Sequence, residues 1–344
     1  MPGSRVVLLL LGLFAVVVLV SPLTFGLAGI PGASPPDAVT DSGDAINRIY
    51  WVVYALSAGV FILVELALIV FIFRFRRGRR GAPLDAEGPQ IHGNTRIEIL
   101  WTAVPVLLLL GLTIYIFTQV PEVEAKPAAG EDVVEIHVTG HQFYWQYEYP
   151  NGALSFDELV LPEGRKVTLV IGSRDVNHSW WVPELTGKRD AIPGVTNELS
   201  FTPRETGTFD GGVCGEYCGI EHAKMTFSVR VVAADEFDAY LEENAPEDGD
   251  EALAALGEAQ WEAACAKCHG TEGEGGIGPR IAGNGTLTNA DGLRTLLENG
   301  QDRPDQDHYM PPVGRGWSAR QIEALMAYVG SERALAPEGG NGGG

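Results

Sequence analysis

Two short stretches hold all four cysteines of this 344-residue chain: CGEYCGIEHAKM at 214–225 and CAKCH at 265–269. In the first, two thiols, an imidazole and a thioether (Cys214, Cys218, His222, Met225) follow at intervals of four, four and three. Soft and borderline donors at that density read as a metal loop, with a strained disulfide, a zinc site and a mononuclear copper site as the simple alternatives. A blue-copper centre uses one thiolate, two imidazoles and a weak axial thioether, so here one thiolate is surplus. Two thiolates can instead bridge two copper ions, each taking one imidazole and one weak axial donor. That scheme needs a second histidine. His178, in NHSWWVPEL at the end of a strand-like run, stands thirty-six residues before Cys214. His137 and His141 fall within predicted strands, where a lone histidine is read as structural.

In CAKCH, the thiols of Cys265 and Cys268 would add to the vinyl groups of a haem while His269 supplies an axial ligand to its iron. No second Cys/His pair stands nearby to complete the four ligands of zinc. A thioether as second axial ligand raises the potential of such a haem. Met310, in HYMPP, is the expected ligand because the prolines hold its loop extended, whereas Met326 in ALMAYV fits a buried helix face. His308 is the competitor.

These groups must be carried by folded elements on the correct side of a membrane. The first apolar run, VVLLLLGLFAVVVLV after Arg5, gives way to small residues and proline and reads as a secretory signal over 1–30, the alternative being a retained third span. A second run over 46–75 is followed by Arg74, Arg76, Arg77, Arg79 and Arg80, which mark the cytoplasmic side. After a cytoplasmic loop over 76–96, a third run over 97–120 returns the chain, so everything beyond Pro121 lies outside the cytoplasm, as haem attachment requires. Alternating segments such as VVEIHVTG, FYWQYEY, KVTLVIGS and MTFSVRVV predict a β-sandwich or barrel over 131–234. An acidic connector over 235–250 reads as a solvated helix end running into a flexible linker and leads to a helical pattern over 251–334, and a glycine-rich tail over 335–344 reads as disordered.

Charge excludes one broad class. Of the net −21, residues 1–130 contribute nothing, with nine basic against nine acidic side chains; residues 131–344 hold fifteen against thirty-six. An outer part that acidic repels nucleic acid and anionic membrane surfaces and would steer basic partners.

The motifs EILWTAVP, GHQFYWQYEY, NHSWWVPEL and CGEYCGIEHAKM together resemble subunit II of the haem–copper cytochrome c oxidases, in the variety with a fused C-terminal cytochrome c. The likeness runs from about Ile46 to Val329. It implies a multidomain membrane protein with a two-helix transmembrane hairpin, an all-β cupredoxin-like Greek-key domain and an all-α class I cytochrome c domain. It implies a dinuclear CuA centre on His178, Cys214, Cys218, His222, Met225 and the backbone carbonyl of Glu216, whose carboxylate would also reach a magnesium ion shared with subunit I. Covalent haem c would sit on Cys265, Cys268, His269 and Met310. The implied activity is that of an oxygen-reducing, proton-translocating oxidoreductase, with the oxygen chemistry in subunit I. The implied partners are subunit I, subunit III, an upstream respiratory electron donor and membrane lipid. The implied setting is the bacterial cytoplasmic membrane, with both redox domains outside.

Glu98, in the third apolar run, matches the family residue at the mouth of a proton path into subunit I; on its own it reads as a solvated helix end. Phe143 stands where the family shows an exposed tryptophan through which electrons come in, which makes Phe143, Tyr144 and Trp145 the candidate inlet against plain hairpin packing. Val195 replaces an expected arginine. Glu65, deep in FILVELALIV, reads as a carboxyl hydrogen-bonded at an interface with a partner helix. The competing functional class is a free-standing membrane-anchored electron carrier or copper-delivery protein without an oxidase.

Overall fold

A computed structural model of the chain describes residues 34–75, 92–303 and 308–330, with Gly12 and Gln90 besides. Apart from these, the expected signal segment, the arginines after Arg74 and the loop around them, the His308 side chain and the tail over 335–344 lie outside the described residues. One unit contains most of the two long helices; a second contains Asp37–Gly43 and the chain from Val123 onward.

Helices α1 (Asp41–Phe75) and α2 (Thr95–Glu124) are 35 and 30 residues long. Both therefore exceed the ~30 Å apolar thickness of a bilayer at 1.5 Å per residue. No residue of α2 is fully buried, and most of its Leu, Ile and Phe side chains are exposed. Such a surface belongs in lipid or against other membrane helices. Arg48 of α1 pairs with Glu122 of α2.

The second unit begins with ten strands: β1 (Val133–His141), β2 (Tyr144–Glu148), β3 (Leu154–Phe156), β4 (Glu158–Pro162), β5 (Lys166–Ser173), β6 (His178–Trp181), β7 (Arg189–Ala191), β8 (Asn197–Phe201), β9 (Gly207–Cys214) and β10 (Thr226–Val232). They form two five-stranded sheets, β3-β2-β1-β5-β8 and β4-β10-β9-β6-β7. Two parallel pairings, β1 with β5 and β4 with β10, exist among otherwise antiparallel neighbours, because the chain crosses between sheets rather than running in simple hairpins. The period-2 pattern of the sequence becomes the core: Val134, Ile136 and Val138 of β1 and Val167, Leu169 and Ile171 of β5 meet Trp180, Phe227 and Val229 from the facing sheet. Trp180 is fully buried, its ring 5.3 Å from that of Phe227 and its Nε1 donating to the Tyr147 hydroxyl at 3.2 Å.

The acidic stretch begins as α3 (Ala234–Glu243), which is not wholly solvated: its Phe237 and Tyr240 pack on Tyr149 with ring centroids 6.2 and 5.5 Å apart. Their i, i+3 spacing puts both on one helix face, a pattern the run of carboxylates conceals. Only residues 244–249 then link to α4 (Asp250–Trp261).

Helix α4 continues through a π-helical turn, Glu262–Ala266, into a last helical turn, Lys267–His269. With α5 (Ala290–Asn299) and α6 (Ala319–Gly330) it encloses Trp261, Leu293, Leu297, Ile322 and Leu325. A ribbon of β11 (Gln301–Arg303) and β12 (His308–Met310) adds one antiparallel pair to this otherwise helical domain.

Candidate functional site

One end of the sandwich gathers the copper candidates. His178 opens β6, Cys214 closes β9, and the loop between β9 and β10 supplies Glu216, Cys218 and His222, with Met225 just before β10. Strand β6 pairs with β9 so that Trp180 faces Cys214, which is how a residue thirty-six positions upstream reaches the loop. The Nδ1 of His178 lies 3.9 Å from Cys214 Sγ, and the Nδ1 of His222 lies 3.6 Å from Cys218 Sγ. Met225 Sδ is 3.7 Å from Cys218 Sγ, and the Glu216 carbonyl oxygen is 3.2 Å from Cys214 Sγ. Ligand atoms of His178, Cys214 and Cys218 all fall within 4.8 Å of one another. Both cysteines are free thiols, and both are buried. The carboxylate of Glu216 is exposed, as are Tyr217 and Ile220 beside it.

Neighbouring groups aim these donors. His178 Nε2–H donates to Asp175 Oδ1 at 2.8 Å, which leaves the Nδ1 lone pair pointing toward Cys214. Burial works against both charges of that pair, yet their hydrogen bond outweighs it, lowering the Asp175 pKa and raising that of His178. The two thiols sit so close that they cannot both ionise freely. A hydrogen bond from Cys218 brings Cys214 down to about 3, helped by His178, and the resulting thiolate pushes Cys218 far up. A buried pair of thiolates needs cations, and two thiols, two Nδ1 atoms, a thioether and a carbonyl are the donor set a copper pair accepts. The residues fit the group.

The haem-attachment candidates sit in the other domain. His269 is buried, and its Nδ1–H donates to the Pro279 carbonyl at 2.8 Å, so Nε2 is left as the ligand atom. Gly278 allows this: a Cβ there would meet the imidazole at 2.7 Å. Burial pushes the Cys265 thiol up to about 12. Met310, in β12, packs on the apolar cluster of this domain, as does Met326 from α6. The oriented imidazole and the paired free thiols fit a covalently held haem.

The three candidate inlet aromatics are all buried, Phe143 at 6% exposure and Tyr144 and Trp145 at 0%. Trp145 lies edge-on to His178 at 5.8 Å. Phe143 packs on the copper loop, where a Cβ at Gly219 would meet its ring at 3.0 Å. Tyr144 belongs to the apolar cluster of the C-terminal domain; its hydroxyl accepts from Trp317 Nε1 and donates to the Val313 carbonyl, both at 2.7 Å. Of the three, Tyr144 is covered by the C-terminal domain, whereas Phe143 and Trp145 are buried in the core of the sandwich itself. Glu98 sits in the first turn of α2, exposed, and accepts from the Asn94 N–H at 3.0 Å, an N-terminal capping contact. Glu65 is exposed on α1, and Val195 is exposed at 48%.

Sequence reasoning passed over Asp175, which orients His178, and Gln142, whose Nε2 donates to the Cys218 carbonyl at 2.6 Å; it also passed over the ion pair of Lys267 with Asp157. Asp175 had a local signal, a carboxylate three positions before a candidate ligand. Lys267 stands inside the CAKCH motif, but its partners are distant in sequence.

Comparison with known proteins agrees in outline. Residues 32–118 match the family model for the cytochrome c oxidase subunit II transmembrane domain, 153–232 that for the subunit II periplasmic domain, and 252–329 that for cbb3-type cytochrome c oxidase subunit III. The chain is 34% identical over 330 residues to cytochrome c oxidase subunit 2 of Alkalihalophilus pseudofirmus, covering 91% of this chain and 95% of that one. It is 33% identical over 216 residues to the Bacillus subtilis subunit 2, covering 58% of this chain and 60% of that one. Among solved structures it is similar to the periplasmic domain of subunit II of cytochrome oxidase (CoxB) of Bradyrhizobium japonicum, at 32% identity and a TM-score of 0.32, covering 34% of this chain and 95% of that one.

Proposed function

This chain belongs to the cytochrome c oxidase subunit II family, and we propose that it is the electron-receiving subunit of a proton-pumping oxidase. In this reading His178, Cys214, Cys218, His222, Met225 and the Glu216 carbonyl hold a dinuclear CuA centre. Cys265, Cys268, His269 and Met310 hold a covalent haem c. Bound there, the haem and the copper pair each store and release one electron at a time between an outside donor and subunit I, where oxygen is reduced to water.

The polypeptide's part is orientation and exclusion of water. Asp175 and the Pro279 carbonyl fix which imidazole nitrogen of His178 and of His269 is free to ligate. Burial of both thiols and of Met225 keeps solvent away from the copper ligands, and a donor set with no position left open favours electron transfer over bond chemistry. In the same reading the exposed Glu216 carboxylate would share a magnesium ion with subunit I, and Glu98 would stand at the mouth of a proton path into it. Helices α1 and α2 would pack against subunit I, with subunit III further out, in the bacterial cytoplasmic membrane. Both redox domains would then face an upstream respiratory donor outside.

The convergence of two thiols, two Nδ1 atoms and a thioether at one buried end of the sandwich supports this reading most. Copper analysis and EPR of the purified complex test it. The wild type should carry two copper ions per chain in this domain with a mixed-valence signal, and Cys218→Ser should lose that signal. An unchanged signal in Cys218→Ser would overturn the assignment.

A further inference from the structure

Lys267 stands between the two cysteines of the haem-attachment motif, where a lysine would ordinarily extend into water. Here its ammonium donates to the Asp157 carboxylate at 2.6 Å and to the Phe143 carbonyl at 2.9 Å, both in the β-sandwich. The two charged side chains are only 26% and 21% exposed. Asp157 is a built receptor. It adopts a left-handed backbone (φ 55°), its Oδ1 accepts from the Trp145 N–H at 2.8 Å, and its own N–H donates to the Trp145 carbonyl at 2.9 Å. Asparagine and aspartate are among the few residues that hold that conformation at modest cost.

The carbonyl on which Lys267 ends belongs to the residue next to Gln142. The Gln142 side chain donates from Nε2 to the backbone carbonyl of Cys218 at 2.6 Å. Two hydrogen bonds and one intervening peptide link therefore join the CAKCH segment to a copper-binding cysteine. The surrounding contacts hold the same docking: Tyr144 with Trp317 and Val313, and Gln321 Nε2 with Gln146 Oε1 at 3.0 Å.

We propose that Lys267 is a positioning residue, clasping the C-terminal domain to Asp157 and Phe143 so that the haem-attachment segment is held against the copper loop along the Phe143–Gln142–Cys218 line. This rests on the electron order given above. The transfer it serves moves one electron from the reduced haem, filled by a reduced respiratory donor, to the oxidised copper pair; no bond is made or broken and no proton moves. A part-buried, hydrogen-bonded charge pair across an interface is costly to break from one side, because the remaining charge is left without its partner.

The test uses the intact oxidase complex and two readouts. A zero-length carbodiimide should join Lys267 to Asp157 as an amide, with loss of one water, detected by mass spectrometry and absent from Asp157→Asn. Photoreduction of the haem, followed by the copper absorption, should show transfer at least about tenfold slower in Lys267→Gln and in Asp157→Asn. Lys267→Arg should restore it. Asp157→Asn lies far in sequence from the attachment motif and keeps the Trp145 contact, so its haem spectrum and copper EPR should match the wild type. Absence of the cross-link in the wild type, or wild-type transfer in both variants, overturns the clasp while leaving the electron order intact. A wild type whose reduced haem never passes its electron to copper overturns both.

Discussion

The copper loop and the haem-attachment segment belong to one compact unit but solve the problem of holding a redox group differently. At the copper site the ligands come from strand ends and one twelve-residue loop, and the polypeptide alone brings each donor atom to within 3.2–3.9 Å of a neighbouring one. The sandwich that carries them has its own core of Trp180, Phe227 and the β1 and β5 side chains. In the C-terminal domain the imidazole is aimed by one carbonyl, while Cys265 lies in a π-helical turn, Cys268 in the helical turn after it, and the thioether comes from a separate ribbon. Its apolar cluster is smaller, and Cys265 forms part of it. The comparison teaches that one domain preforms its candidate metal site, whereas the other, in the reading proposed above, would need a large planar group to finish its core.

The strongest way to break this contrast is to remove attachment. Cys265→Ala with Cys268→Ala should leave the C-terminal domain without a cooperative core, so that limited proteolysis cuts within residues 251–330 while copper EPR persists; loss of both together would show the domains to be one folding unit. Next, Trp180→Ala should cost the sandwich about 3–5 kcal/mol, as large buried aromatics do. The transition assigned to the C-terminal domain, followed in the same thermal scan by haem absorbance, should move far less.

A third experiment sharpens the comparison through pH. His141 is fully buried, stacked on Tyr144 at 4.7 Å, and neither of its ring nitrogens has a protein partner. Burial brings its pKa down from 6.5 to about 4. The unfolded chain therefore takes up the proton first, so stability is fully present above pH 6.5 and falls as pH drops toward 4. The loss approaches about 3 kcal/mol, and His141→Phe should flatten it in urea titrations at pH 7 and pH 4.5. The smallest effect is expected from Met225→Leu. It should keep both copper ions and shift the midpoint potential modestly, since a thioether is a weak axial donor.

Much of this was legible because the chemistry is local. Cys214, Cys218, His222 and Met225 occupy one loop, CAKCH is five residues, and the alternation of β1 and β5 states the sandwich directly. His178 could be nominated because a strand end is where such folds add a distant ligand. What local pattern does not carry is how one domain covers another. Lys267 meets Asp157 across 110 positions, and Tyr144 reads as a strand aromatic of the sandwich although it completes the core of the other domain. That Phe143, Tyr144 and Trp145, the candidate inlet, are all buried is also not written in the local pattern. Likewise, Phe237 and Tyr240 anchor a helix inside what composition presents as a solvated acidic run.

Under the proposed electron order, the burial of Phe143, Tyr144 and Trp145 would change the kinetic order of the process. A face reached by collision works at a rate set by how much carrier surrounds it and by the salt that screens the encounter. With Tyr144 packed in the core of a tethered domain and the Phe143 carbonyl held by Lys267, the proposed step from haem to copper would be unimolecular. Diluting the carrier pool or raising the ionic strength should slow only the arrival of electrons at the outer domain. Their passage inward would keep the same clock in a washed membrane as in a crowded one.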